Sequence, residues 1–301
     1  MRIEWKNAWI LMRIPFSVFL MPIFWLSVAV LPLNEWNWTE LVSVFIILHF
    51  FLYPASNGYN SMVDKDEDSV GGIRNPPQVT VHLGVLVAVF DLISITSAFL
   101  VNVYFGFCVA VYWLVSKAYS SPQIRLKKMP VVSWLVVAVF QGGWSVIMVW
   151  CGLMGNDAIL DKLFEWIWPV VATLFLAGTY PLTQVYQHES DARRGDVTLS
   201  ALLGIKNTFV VASIFLLLGS ATLVTALVLK NEIEIVFVLA GCTLPTLIYF
   251  FLWAKKVWID VNQADYENTM MFNKLSSISL SIGFIAWLGI KILGISLLLH
   301  F

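Results

Sequence analysis

Long apolar runs alternate with short polar stretches along all 301 residues of this chain. The runs fall near 12–31, 39–57, 80–101, 103–119, 131–153, 164–183, 208–229, 233–253 and 276–299. Each has about the 20 residues that carry a helix across a bilayer. The third and fourth are nearly fused around Asn102. As one helix their combined stretch would be about 60 Å long, roughly twice the hydrocarbon core. They must be two helices joined by a tight turn, which predicts an all-α integral membrane protein with nine spans. The first run has basic residues before it and no small-residue cleavage site after it, so it reads as a retained span.

Charge gives this pattern a direction. With the N-terminus on the cytoplasmic side, the inner segments hold 15 of the 18 basic residues, from Arg2, Lys6 and Arg13 to Lys255, Lys256 and Lys274. Lys162 and Lys230 fall outside, and Lys291 lies within the last span. The positive-inside rule is met with no loop dissenting.

Composition then removes whole classes of function. The chain is 59% hydrophobic and 12% charged, with a mean hydropathy of +0.81, where a soluble domain would be nearer half apolar and a quarter charged. A net charge of -1 argues against a nucleic-acid partner or a polybasic membrane-surface binder. Cys108, Cys151 and Cys242 have no ligand spacing and read as small apolar packing residues.

Two acidic clusters stand out because they lie at the membrane edge on the side where positive charge is expected. The first follows span 2 and contains Asn60, Asp64 and Asp68 at i, i+4 and i+8; the second follows span 6 and contains Gln187, Glu189 and Asp191, then Gly195 and Thr198. On a continuing helix Asn60, Asp64 and Asp68 form one polar stripe, with Glu67 one turn from Asp64 and Asp66 turned away into water. Two carboxylates and an amide oxygen are hard donors suited to Mg²⁺, which completes its shell with water and phosphate. Gly195 should end the second cluster's helix and Thr198 should cap the next. His188 reads as a hydrogen-bonding or exposed residue. The loop after span 4 adds Arg125, Lys127 and Lys128 on the same face. Positive-inside bias alone would account for them, but acids that hold a metal beside a basic loop also describe a diphosphate site. A diphosphate whose tail lies in a membrane is most simply an isoprenoid diphosphate.

In these motifs the chain resembles the UbiA superfamily of intramembrane prenyltransferases over essentially its full length. The first family motif, Asn-Asp-x-x-Asp-x-x-x-Asp, is similar to Asn60, Ser61, Asp64 and Asp68; its counterpart after span 6 is similar to Gln187, Asp191, Gly195, Thr198 and Leu199. Tyr119, Pro122, Arg125 and Lys127 resemble the family's basic signature, Arg13 sits like an Arg of its first span, and Arg74 parallels an Arg after the first motif. Ser61 and Gln187 depart from the pattern, each standing where an acid is usual, and Gln187 weakens the second metal site.

The resemblance implies a single multi-span domain over residues 1–301, with nine transmembrane helices around a central cavity. It implies metal binding by Asn60, Asp64, Asp68, Gln187, Glu189 and Asp191, with Asp64, Asp68 and Asp191 as the catalytic acids. Arg13, Tyr119, Arg125 and Lys127 would bind the diphosphate. The implied reaction is Mg²⁺-dependent ionisation of an isoprenoid diphosphate to an allylic cation, captured by a lipophilic, aromatic acceptor. Its active site would face the cytoplasm, at the plasma (inner) membrane in a bacterium, with membrane lipid around it. Tyr53, Tyr112, Trp113, Trp144 and Tyr180 are candidates for an aromatic cavity wall. One alternative keeps the metal site but has no acceptor: a UbiA-type terpene cyclase. The other is a cation-coupled secondary transporter. Against it, the acids lie in loops at one face and the spans are read as holding no buried acid, whereas coupling sites sit near the midplane.

Overall fold

The computed structural model describes residues 2–155 and 163–294. Lys162 and residues 295–299 of the last expected span lie outside the described residues. The fold is an all-helical membrane architecture; an isolated bridge between Val70 and Ile73 is its one piece of extended pairing among the described residues. Among the described residues, eight helices are long and apolar enough to cross a bilayer: α1 (Arg2–Ala29), α2 (Trp38–Asp64), α3 (Val81–Val101), α4 (Val103–Ser120), α5 (Pro130–Met154), α9 (Ile205–Leu229), α10 (Ile233–Ile259) and α11 (Tyr266–Leu293). Between them lie α6 (Ile167–Leu182), apolar but only 16 residues long, and the short α7 (His188–Arg193) and α8 (Leu199–Leu203). At 1.5 Å per residue α6 spans about 24 Å, short of the hydrocarbon core. Large apolar side chains such as Leu100, Leu217 and Phe251 stand exposed on the outer surface, as lipid-facing positions require.

Asn102 makes the expected turn. Its extended backbone ends α3, its Oδ1 accepts from the Phe105 N–H at 2.8 Å to cap α4, and its Nδ2 donates to the Cys151 carbonyl at 2.8 Å. One side chain thereby stops a helix, starts the next and ties both to α5. Cys108 and Cys151 pack as small residues, with their sulfurs 3.5 Å apart.

Three spans are broken where residues must face inward. In α1 the helix stops at Arg13, whose backbone is left-handed (φ 50°), and restarts as a 3₁₀ segment carrying Pro15. In α2 a π-helical turn over Ile47–Leu52 precedes Pro54, whose ring has no N–H and crowds the carbonyl four residues back. In α5 a second π turn, Ala138–Gly143, lets α6 approach closely. A Cβ on Gly142 would lie 2.8 Å from the Ala172 carbonyl oxygen, and the freed Gly143 N–H donates to Thr173 Oγ1 at 3.1 Å.

The last span corrects the expected boundaries. α11 begins ten residues earlier, at Tyr266, because Asp265 caps it by accepting from the Asn268 N–H at 2.8 Å. Its polar early turns point inward, where Asn273 and Ser277 are buried. The reading that the spans hold no buried acid is also corrected. Asp91 lies in the middle of α3 and pairs with Lys117 of α4 at 2.7 Å, both largely buried, and Lys117 also lies 4.4 Å over the Tyr59 ring. Hydropathy over a window hides one acid that a neighbouring lysine neutralises.

The main core draws buried residues from all the long helices and α6, and includes Trp168 and Trp287, whose rings are 5.8 Å apart. At that end of the bundle Lys291 donates to the carbonyls of Ala29 and Leu31 at 2.7 and 2.9 Å, and Lys230 pairs with Glu165 at 3.2 Å. Those lysines satisfy the open carbonyls where α1 ends. The acidic clusters lie at the opposite end.

Candidate active site

A cavity of about 570 Å³ runs into the bundle from the end that carries both acidic clusters. Its inner wall is apolar and aromatic, with Tyr53, Tyr112, Phe140, Phe175 and Phe284 among the lining side chains. Its mouth is charged. Arg13 enters from the break in α1; Asn60 and Asp64 from the last turn of α2; Asp66 from the loop that follows; Lys127 from the loop after α4; Asp191, Arg194 and Asp196 from the segment after α6.

The backbone at this mouth is unusual. Among the described residues, four non-glycine residues have a left-handed backbone, and Arg13, Lys65 and Arg125 are three of them. Each costs of order a kcal/mol and persists where surrounding contacts hold it. Lys65 matters most. It ends α2 with φ 50° and its N–H bonds to the Ser61 carbonyl, so the helix stops at Asp64.

That stop divides the first cluster. Asp64 is 6% exposed and pairs with Lys127; its Oδ2 accepts from Asn60 Nδ2 at 2.9 Å, and Arg125 stands 3.6 Å from its Oδ1. Asn60 also donates to Ser120 Oγ at 3.0 Å and accepts from Arg13 at 3.3 Å. Asp66 is 8% exposed, lines the cavity and pairs with Arg194. Asp68 is 56% exposed, pairs with Arg193 at the surface and does not line the cavity. The expected positions of Asp66 and Asp68 are therefore exchanged, because a helical stripe cannot continue past the end of its helix.

The second cluster is divided too. Gln187 and Asp191 reach the cavity; Glu189 is exposed and does not. Gly195, left-handed at φ 72°, ends α7 as expected. The chain then folds back so that the Asp196 N–H donates to the Asp191 carbonyl at 3.0 Å. Thr198 caps α8, its hydroxyl accepting from the Ala201 N–H at 3.3 Å. Arg194 donates to Asp191 Oδ1 at 2.7 Å. Arg125 grips Asp196 with two parallel hydrogen bonds of 2.9 and 2.7 Å, the strong fork geometry of guanidinium and carboxylate. Gln187 donates to the Tyr186 hydroxyl at 3.2 Å and the Ser69 carbonyl at 3.4 Å. His188 bonds Ser200 at 2.8 Å, the hydrogen-bonding role expected of it. Tyr119 and Tyr180 share a short hydroxyl contact on the cavity wall. Trp113 and Trp144 do not line the cavity; Trp144 donates to the Cys108 carbonyl at 3.0 Å.

Burial sets the titration of these groups. It pushes Asp66 up from the ordinary carboxylate value, with Arg194 opposing, and pushes Asp191 up against its hydrogen bond from Arg194. Burial works to lower Arg194, but Asp66 and Asp191 hold it above its usual value. Hydrogen bonds to Asp196 raise Arg125.

Asp66, Arg194 and Asp196 are the site residues that periodicity missed. The one local signal was for Asp66: Ser69, Gly71 and Gly72 follow closely, and turn residues so near argue for an earlier helix end. Nothing local marks Arg194 or Asp196.

The residues at the mouth suit a hard divalent cation and phosphate. Asp64 Oδ1 and Asp66 Oδ2 are buried carboxylate oxygens with no hydrogen-bond partner, and Arg13 Nε and Arg194 Nε are buried donors with none. Among the described residues no three His, Cys, Asp or Glu side chains gather as a ready-made metal cage. This suits Mg²⁺, which takes one or two protein carboxylates and shares the rest of its shell with substrate phosphate and water.

Several solved structures share the fold. A UbiA homolog from Archaeoglobus fulgidus bound to DMAPP and Mg²⁺ is 18% identical, with a TM-score of 0.69, over 95% of this chain and 99% of that one. The apo UbiA homolog from Aeropyrum pernix K1 is 19% identical, with a TM-score of 0.69, over 91% and 98%. A digeranylgeranylglyceryl phosphate synthase structure is 16% identical, with a TM-score of 0.59, over 97% and 99%. No curated protein matches the chain. The sequence profile of the UbiA prenyltransferase family matches residues 19–276, most of the chain, and with that match the chain belongs to the UbiA prenyltransferase family.

Proposed function

We propose that the chain is a Mg²⁺-dependent intramembrane prenyltransferase, moving a prenyl group from an isoprenoid diphosphate to a lipophilic, aromatic acceptor. The observation that carries this reading is one cavity with two chemistries: a mouth of buried acids and guanidinium groups, continuous with an apolar, aromatic interior. A diphosphate with a prenyl tail has the same division. The relatives bound to DMAPP and Mg²⁺, and to GPP and Mg²⁺, support the same assignment.

Asp64 and Asp66, with Asn60 beside them, would hold Mg²⁺, which when bound neutralises diphosphate charge. Lys127, Arg13 and Arg194 would bind the remaining phosphate oxygens. As the C1–O bond breaks its electron pair leaves with the diphosphate, where these cations stabilise it. The prenyl cation is left in the interior, where Tyr53, Tyr112 and Phe140 exclude water and offer ring faces. The acceptor carbon then bonds to C1 and loses its proton, so that prenyl diphosphate and acceptor become product, diphosphate and a proton. The whole chain acts as one nine-span unit, with the mouth facing the cytoplasm as the positive-inside charge pattern supports.

The test is diphosphate release from a panel of prenyl diphosphates with and without Mg²⁺, for wild type and Asp64→Asn. Mg²⁺-dependent release, lowered about 100-fold in the variant, is expected. No release from any of the panel overturns the proposal, and a terpene formed without acceptor overturns the transfer step.

A further inference from the structure

We propose that Arg194 holds the place a second divalent cation would take between the two acidic motifs, so that this chain works with one bound Mg²⁺. The inference rests on the diphosphate reading above and concerns how the charge of that site is supplied.

Two acidic motifs facing one cavity invite two cations, one for each. Here the second motif has carboxylates for neither a cage nor a bridge of its own. Gln187 is neutral, and its amide nitrogen is turned to Tyr186 and the Ser69 carbonyl. Glu189 is exposed, away from the cavity. Of the carboxylates on this segment that reach in, Asp196 is gripped by Arg125, and Asp191 Oδ1 already accepts from Arg194 at 2.7 Å.

The other Nη of Arg194 pairs with Asp66, which belongs to the first motif. The guanidinium thus bridges a carboxylate from each motif, as a shared metal ion would. Guanidinium stays charged at any physiological pH and fits carboxylates with two fixed donors. A divalent ion at Asp191 would sit against the positive charge of the guanidinium already bonded there. Arg194 also lines the cavity and keeps a buried Nε–H with no partner, a donor suited to a phosphate oxygen.

The first motif differs in keeping two carboxylates at the mouth, Asp64 beside Asp66. Asp64 Oδ1 and Asp66 Oδ2 are buried and accept no hydrogen bond. The cation paired with Asp64 Oδ2 is Lys127, a flexible ammonium that can move onto phosphate, while Arg125 stands at 3.6 Å from Oδ1 with its hydrogen bonds spent on Asp196. The two buried oxygens of Asp64 and Asp66 are enough for one hard cation that shares its shell with phosphate and water.

The test counts metal directly. Mn²⁺, visible by EPR, is titrated into the full-length protein in detergent with an inert prenyl thiodiphosphate, and free ion is read at saturation. One Mn²⁺ per chain is expected for wild type, and two for Gln187→Asp combined with Arg194→Gln, with thermal melting to show that the variant is folded. Two Mn²⁺ in wild type, alongside normal Mg²⁺-dependent diphosphate release, would sink the Arg194 assignment and leave the proposed function standing. A folded double variant that still binds one would also overturn it. No analogue-dependent Mn²⁺ binding, with no diphosphate release from any prenyl diphosphate, removes both. Should the double variant not fold, the wild-type count decides alone.

Discussion

The two acidic motifs occupy one cavity mouth, yet the backbone delivers them in different ways. The first sits at the end of the 27-residue α2. That helix delivers Asp64, the turn after Lys65 delivers Asp66, and the loop carries Asp68 out to the surface. The second sits on α7, six residues long, which turns Asp191 inward and Glu189 outward and then stops at Gly195. Periodicity places a side chain only as long as the helix lasts. At the mouth of this cavity both helices are ending, so termination decides which acids work.

The sharpest way to break that comparison is to neutralise Asp66 and Asp68 separately. Asp66→Asn should lower Mg²⁺-dependent diphosphate release about 100-fold, the cost of removing one preorganised charge from such a site. Asp68→Asn should change it less than about twofold, since an exposed ion pair is screened and contributes little. The reverse ranking would mean that Asp68 turns inward once substrate is bound. Release kinetics on both purified variants settle the order.

A second, smaller effect separates ligands from the groups that hold them. Arg125 reaches toward Asp64 but is fixed by its fork to Asp196. In Asp196→Asn the fork loses its charge while Asp64, Asp66 and Asp191 are untouched. We expect KM for the prenyl diphosphate to rise about tenfold with kcat changed less than about threefold, the signature of weakened ground-state binding. A kcat loss as large as that of Asp66→Asn would make Asp196 part of the metal site itself.

These outcomes bear on how much of the molecule was legible in its residues. The all-helical membrane fold was, with eight of the nine expected spans long enough among the described residues, because apolar length is a local property with a physical minimum. So were the Asn102 turn, the stop at Gly195 and the Thr198 cap, since one side chain or one backbone conformation makes each of them. The pairing of Asp91 with Lys117 was not: it joins separate helices. Neither was the start of α11, where Asn273 and Ser277 face the interior and the apolar run is no guide to length. In the site, Asn60, Asp64, Arg13, Tyr119, Arg125, Lys127, Gln187 and Asp191 come together at the mouth. Asp66 and Asp196 join them where a left-handed Lys65 and a left-handed Gly195 redirect the chain, and Arg194 joins from the C-cap of α7. Left-handed lysine has no sequence signal, since most such positions carry Gly or Asn.

The smallest expected effect tests the surface side of the same division. Asp68 and Arg193 form their ion pair with more than half of each side chain exposed. A double-mutant cycle with Asp68→Asn and Arg193→Gln, read by thermal unfolding in detergent, should give a coupling of roughly 0 to 1 kcal/mol. Glu189→Gln should leave diphosphate release unchanged. If the cycle instead gave several kcal/mol, the two loops would be locked together at that point, and the position of Asp66 would depend on Asp68 through the chain between them. A weak coupling assigns the placement of Asp66 to the Lys65 turn and to Arg194, the groups that touch it or turn the chain beside it.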